Sequence, residues 1–319
     1  MPPPIGGVST FMRRHVAQLE RDGVPHSVRD WTKMSGRRRL AWMLRLLLDP
    51  RHMHVEFNAY ETWTMVAVVL RPWPAHVLLR VHSGGPESRL NSWQKWIFAR
   101  FLRGVDQLVL VGAHVESVLR TAGYLLPDSW AVQPAFLPPP PEDRPSVLAT
   151  YGESGRRFLD AHHPLLVLQG SNAFRDGVDL YGSDMAVDAL IALRTEFPRL
   201  GLVVGRPTRG GAAFEAYCAG LDRRLAAAGA SNHMWILDGE RELWPVIERA
   251  DVYLRPTLSD GDSIGVREAL HLGTAVVASD AAPRPAGVRT FVSRDQQAFN
   301  EAIRRALSDA EQPRASACS

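Results

Sequence analysis

Cysteine is scarce in this 319-residue chain. Cys218 and Cys318 lie far apart, so no disulfide framework can be drawn, and a reducing compartment is expected. Long apolar runs are missing too. TMVAVVL and HVLLRV are well short of the about 20 residues that cross a bilayer. The opening MPPPIGGVSTFMRR has no charged stretch followed by an apolar one, so no signal-peptide pattern is present and a cytoplasmic protein is expected. No G-x-G-x-x-G dinucleotide fingerprint, Walker A loop or G-x-S-x-G elbow occurs. The histidine pairs His52/His54 and His162/His163 have no cysteine or carboxylate partners at ligand spacing, so no metal and no cofactor is expected. Lysine is nearly replaced by arginine, a bias to which no function is attached.

What is present is globular: 45% hydrophobic and 22% charged residues. Charge is uneven. Met1–Thr150 carries 18 Lys and Arg against 12 Asp and Glu, and the remainder 19 against 22. The two halves therefore read as two domains with different surroundings. PAFLPPPPEDRPS, from Pro134 to Ser146, is the linker candidate, because stacked prolines favour an extended chain. The boundaries expected are 1–145 and 146–319. On both sides, short apolar runs alternate with helical patterns. HSVRDW, HMHVEFNA, HVLLRVHSG and QLVLVG read as strands in the first half; PLLVLQG, LGLVVG, HMWILDG, DVYLRP and TAVVASD do so in the second. Strands without polar alternation, separated by helices, indicate parallel sheets covered on both faces. The expected class is α/β: two Rossmann-like domains with parallel sheets facing across a cleft.

The densest chemistry is in DVYLRPTLSDGDSIGVREALHLGTAVVASD, a strand, a loop, a helix and a second strand. Parallel sheets bind ligands where strands end and helices begin. The backbone N–H groups of Asp262, Ser263 and Ile264 should open the helix and favour an anion such as phosphate. Asp260 and Glu268 flank that anion site and suit neutral hydroxyls. A ligand with phosphates in its middle and polyols at both ends fits, and a nucleotide-sugar is one. The plainer alternative is that Asp262 and Ser263 merely cap the helix.

These residues, with PPIGGV at Pro3–Val8 and His82 in RVHSGG, resemble the GT-B glycosyltransferases, specifically glycosyltransferase family 4 (group 1). The family signature of an acid, seven residues, Glu and then a small-residue strand corresponds to Asp260, GDSIGVR, Glu268 and ALHLGTAVVAS. The resemblance implies a retaining, metal-independent glycosyltransferase of hexosyltransferase type. Its donor is a nucleotide-sugar, UDP-sugar ahead of GDP-sugar, and its acceptor a glycan, lipid-linked or small molecule. It implies Asp260 and His82 as catalytic residues at the transferred sugar. Glu268 falls on the ribose, and Gly261, Asp262, Ser263, Ile264, Gly6 and Gly7 on the donor diphosphate.

The sequence departs from the family in three places. Ser171 and Tyr181 stand where a diphosphate-binding Arg and Lys are usual, which makes Arg175, with Arg255 behind it, the replacement cation. Asp260 replaces the commoner Glu. A strand before the Gly-Gly loop and a C-terminal helix returning to the first domain are expected in the family and not legible here. These departures leave a second reading, a degenerate non-catalytic GT-B protein that binds a nucleotide, a glycan or a partner enzyme. A nucleotide-sugar epimerase is a third. GRRRLAWMLRLLLDPR adds a basic helix with Leu40, Met43, Leu44 and Leu47 on one stripe beside Trp42. Arg37, Arg38 and Arg39 on it would face an anionic membrane at its inner surface, unless the stripe simply faces the core.

Overall fold

The computed structural model describes residues 7–49, 54–58, 61–72, 76–82, 90–175, 177–207, 210–260 and 262–311. The chain divides into two compact units: Phe11–Ala135, and Phe136 onward together with the first residues of the opening helix.

The first unit holds α1 (Gly7–Arg21), α2 (Gly36–Leu48), β1 (His54–Phe57), α3 (Thr62–Leu70), β2 (His76–Val81), α4 (Ser92–Arg103), β3 (Gln107–Leu110), α5 (Ala113–Thr121) and β4 (Trp130–Val132). Its four strands form one sheet in the order β1-β2-β3-β4, with every pair parallel. Leu79, Leu108 and Leu110 of the sheet and Phe98, Phe101 and Leu102 of α4 are buried in its core. Asn91 caps α4: its side chain accepts from the Gln94 backbone, and the Gln94 side chain accepts from the Asn91 backbone, both at 3.0 Å. Asp106 ties β3 to β2. Its N–H donates to Val77 O at 2.9 Å and its Oδ2 accepts from Val77 N at 2.7 Å.

The second unit holds α6 (Arg144–Ala149), α7 (Gly152–Ala161), β5 (Leu165–Gln169), the short hairpin β6 (Phe174–Arg175) and β7 (Val178–Asp179), α8 (Ser183–Leu193), β8 (Gly201–Arg206), α9 (Ala212–Ala227), β9 (Met234–Asp238), α10 (Trp244–Arg249), β10 (Val252–Arg255), α11 (Ile264–His271), β11 (Ala275–Ser279), β12 (Val288–Phe291) and α12 (Gln296–Glu311). Six strands make an all-parallel sheet in the order β12-β11-β10-β5-β8-β9. Leu166, Val167, Leu168, Leu202 and Val203 are fully buried, which is why these strands read as continuous apolar runs. α12 packs against α8 within this unit.

Two expectations are corrected, and the α2 stripe falls partly outside the core. HSVRDW forms no strand: residues 24–30 are irregular, 24–29 of them exposed, and Trp31–Lys33 is a single 3-10 turn. Val28 lies exposed there, so the segment's apolar residue has no sheet to bury it. The proline-rich segment does not stay extended to Ser146. Proline is tolerated in a helix's first turn, and a turn at Pro141–Asp143 leads into α6. On α2 the inward face carries Leu46, with Trp42 edge-on to Trp31 and Phe57, while Leu40, Leu44 and Leu48 are exposed. Leucines lie on both faces of the helix, so its periodicity does not reveal the inward face; packing against α3 does.

Candidate active site

The second sheet's strand ends are built around one loop. β10 ends at Arg255, and Pro256–Asp260 then leads to α11. Ser263 caps that helix, its hydroxyl accepting from Val266 N at 3.4 Å. Two neighbouring loops hold this one in place. Leu258 N donates to Leu180 O at 3.0 Å. Gly182, at φ 74°, lies so close to Pro256 that any side chain there would collide with the Pro256 carbonyl. Asp179 shapes this second loop by accepting from Tyr181 N and Ser183 N, both at 2.8 Å. From the other side, Ser279 Oγ donates to Thr257 O at 2.5 Å.

Charge is concentrated on this frame. Asp260 is 7% exposed and pairs with two buried arginines. Arg255 meets it with Nε to Oδ2 and Nη2 to Oδ1, both 2.9 Å, and Arg284 Nη1 reaches Oδ2 at 2.6 Å. Burial pushes the Asp260 carboxyl up, but the charge and hydrogen bonds of Arg255 and then Arg284 outweigh it, so the pKa lies below the ordinary value. Arg255 also lies over the Tyr181 ring, 4.8 Å from its centre. Asp262 accepts two bonds from Arg267 Nε, at 2.7 and 2.8 Å. Glu268, one turn into α11, is buried. Beneath it the Tyr253 hydroxyl finds no hydrogen-bond partner among the described residues. It is wedged against Gly265, where any side chain would strike both that hydroxyl and Gln169 Oε1. Burial pushes the Tyr253 phenol up to about 12.

Asp260, Asp262, Ser263, Ile264 and Glu268 thus gather at one helix entrance. A β-carbon on Gly7 would stand 3.4 Å from Ile264 Cδ1, placing the start of α1, which groups with the second unit, beside that entrance. Gly6 and Gly261 lie outside the described residues, as does the side chain of Arg175, whose backbone pairs with Val178 in the hairpin. Arg284, Thr257, Tyr253 and the stacking role of Tyr181 were not legible beforehand. The one available signal for Arg284 was an arginine between prolines just past a strand end.

In the first unit, His82 follows β2. Its Nε2 lies 2.8 Å from Asn58 Oδ1, and its ring meets Phe11 at 5.6 Å. Asn58 Nδ2 donates to Glu56 Oε1 at 3.1 Å, which fixes the amide so that its oxygen accepts from His82 Nε2–H. Nδ1 of His82 is then an acceptor. Burial and then the charge of Arg80 lower the His82 pKa to about 4, so the ring is neutral at physiological pH. Glu56 is lowered to about 2: burial would raise it, but hydrogen bonds from His15 and Asn58 and the charges of His15 and Arg80 prevail.

Among the described residues no group of three or more His, Cys, Asp or Glu is placed to hold a metal ion, and no helix is long and apolar enough to cross a membrane. Two all-parallel sheets flanked by helices define the GT-B glycosyltransferase fold, which the solved structures bear out. Anabaena HepE in complex with UDP superposes with a TM-score of 0.63 at 12% identity, over 93% of this chain and 80% of that one. The α,α-trehalose 6-phosphate synthase of Burkholderia multivorans gives 0.58 at 14% identity, over 86% and 70%. The pneumococcal O-GlcNAc transferase GtfA in complex with UDP and GlcNAc gives 0.53 at 14%, over 85% and 51%. No curated protein matches the sequence. Residues 179–309 match the family of glycosyl transferases group 1, and the second unit carries a domain of that family.

Proposed function

We propose that the protein is a retaining, metal-independent glycosyltransferase that moves a hexosyl group from a nucleotide-sugar, UDP-sugar ahead of GDP-sugar, to a glycan, lipid-linked or small-molecule acceptor. The observation that carries this reading is the gathering of Asp260 and Glu268 around the opening of α11 within a group 1 domain. HepE has been solved with UDP and with UDP-glucose, which favours uridine. Glu268 accepts from the ribose hydroxyls. The backbone at Gly261–Ile264, with Gly6, Gly7 and Arg175, receives the diphosphate. Asp260 accepts from hydroxyls of the donor sugar. Arg255 and Arg284 donate three bonds to that carboxylate, so a sugar hydroxyl shares its oxygens with them. His82, neutral, lends Nδ1 as an acceptor beside the transferred sugar. The C1–oxygen bond to the diphosphate breaks, and a bond from C1 to the acceptor oxygen forms on the same face. The acceptor's proton goes to the leaving diphosphate, so the protein's contribution is positioning and stabilisation of leaving-group charge.

The double pairing of Asp260 favours a second reading, a degenerate non-catalytic GT-B protein that binds a nucleotide, a glycan or a partner enzyme. Calorimetry with UDP and GDP, and donor hydrolysis over a panel of nucleotide-sugars, decide between them. Binding with turnover supports the transferase, binding without turnover a non-catalytic nucleotide binder, and neither would remove both of these and leave glycan or partner-enzyme binding.

The same proposal includes a peripheral position on the inner face of the membrane. Arg37 and Arg38 are exposed at the start of α2, beside exposed Leu40, Leu44 and Leu48, and Trp63, Trp93 and Trp96 are exposed on α3 and α4. Arg39 is partly occupied, donating to Met34 O at 3.0 Å and lying over Trp31. Replacing Arg37 and Arg38 with Glu should reduce sedimentation with anionic vesicles at low salt. Unchanged sedimentation would remove the membrane from the reading.

A further inference from the structure

One guanidinium is enough to neutralise Asp260, and Arg255 already meets both of its oxygens. Arg284 is a second cation at the same carboxylate. Its side chain is only 4% exposed, so desolvating it is costly unless the bonds it makes are good. Those bonds go to two strand ends. Arg284 Nε donates to Ser279 O at 3.0 Å, and Nη2 to Thr257 Oγ1 at 3.3 Å and Ser279 Oγ at 3.4 Å, while Nη1 takes Asp260 Oδ2. Arg284 therefore bolts the loop after β11 to the loop after β10. Arg255 fixes the carboxylate from the base of its own loop, five residues back. Arg284 approaches from another strand, and two anchors from different elements remove the hinge that one would leave.

We propose that Arg284 is a positioning residue, setting the orientation and the ionised state of the Asp260 carboxylate towards the donor sugar. The inference rests on the donor reading above, in which Asp260 meets the sugar and Glu268 the ribose. Arg284 touches no substrate in it and acts through Asp260.

Arg284→Met keeps an unbranched aliphatic stem without the charge, and Arg284→Lys keeps the charge without the planar guanidinium fork. Arg284→Met should lower kcat for donor turnover by on the order of tenfold to a hundredfold, as expected when a contact group is misplaced. Its affinity for UDP, which lacks the sugar, should be unchanged. The Asp260 carboxyl resonance should titrate at higher pH than in the parent, and Arg284→Lys should lie between the two. Guanidinium at concentrations well below denaturing should restore part of the turnover lost in Arg284→Ala. The proposal falls if folded Arg284→Met keeps the parent's turnover and Asp260 titration. It falls equally if turnover drops only together with UDP affinity and melting temperature, with no guanidinium rescue. A parent protein that neither binds UDP nor consumes any donor overturns the donor reading instead. The Asp260 titration would then still decide whether Arg284 sets the carboxylate's state.

Discussion

The two units share a frame and differ in what they do with it. Each ties a central strand to its neighbour with an aspartate one residue before the strand. Asp106 clasps Val77, and Asp251 clasps Leu165 through Leu165 N to Oδ2 at 2.7 Å and Asp251 N to Leu165 O at 2.9 Å. At the strand ends the likeness stops. The second unit buries a charged cluster with acids and arginines matched, beside a helix entrance. The first unit builds a neutral histidine held by Asn58 and Glu56, and leaves apolar side chains exposed on three helices. One architecture therefore carries a buried charged cluster in one unit and a greasy, basic surface in the other, and fold alone would not have distinguished them.

The sharpest expected contrast separates the ribose contact of the second unit from the sugar contacts drawn from both units. Glu268→Ala should weaken UDP and donor binding alike, by about 1.5–3 kcal/mol for a lost charged hydrogen bond. His82→Ala should leave UDP affinity intact and lower turnover, as should Asp260→Ala. Calorimetry beside a turnover assay reads this directly. Loss of UDP binding in His82→Ala would blur the contrast.

Acid should act on the first unit before it reaches ordinary carboxylate titration. His82 binds its proton at about 4 in the fold against 6.5 when unfolded, so its contribution is complete above about pH 6.5 and is lost as the pH falls towards 4. That amounts to about 3 kcal/mol by linkage. Glu56 behaves the same way lower down, contributing fully above 4.5 and losing it as the pH falls to about 2. Melting curves from pH 7 to 4 should show the first loss in the parent and a smaller one in His82→Asn. Equal losses would assign the acid sensitivity elsewhere.

The shared clasp offers a smaller and symmetrical test. Asp106→Ala and Asp251→Ala should each cost about 1–3 kcal/mol, because each leaves a strand N–H unpaired. Denaturant unfolding that shows a cost in one unit only would mean the clasps are not equivalent. Smallest are the helix caps, Asn91→Ala in the first unit and Ser263→Ala in the second, at about 1 kcal/mol each. The cap box of Asn91 should make its loss the greater of the two.

The fold was legible because buried parallel strands leave continuous apolar runs, and those runs fall where β5, β8, β10 and β11 lie. The entrance of α11 was legible because its acids, cap and helix adjoin in sequence. Arg284 was not, because its partner Asp260 sits 24 residues away and only the sheet brings them together. Nor was the place of Tyr181 under Arg255, which depends on Gly182 lying against Pro256. HSVRDW misled because a short segment between two helical patterns shows where a strand could lie, not that a neighbour exists to pair with it.

The exposed tryptophans also give the molecule an optical asymmetry. Of nine tryptophans, only Trp235 and Trp244 belong to the second unit, and Trp244 is buried. Trp63 and Trp93 stand exposed with their rings 6.2 Å apart, and Trp96 is exposed on the same helix as Trp93. Intrinsic emission is therefore dominated by the first unit and weighted to the red, with a blue component from Trp244. Contact of the α3 and α4 face with lipid would shift that light strongly, whereas a nucleotide settling at α11 would reach only the small blue component of Trp244 on the neighbouring α10, so the two events differ in colour in one unlabelled sample.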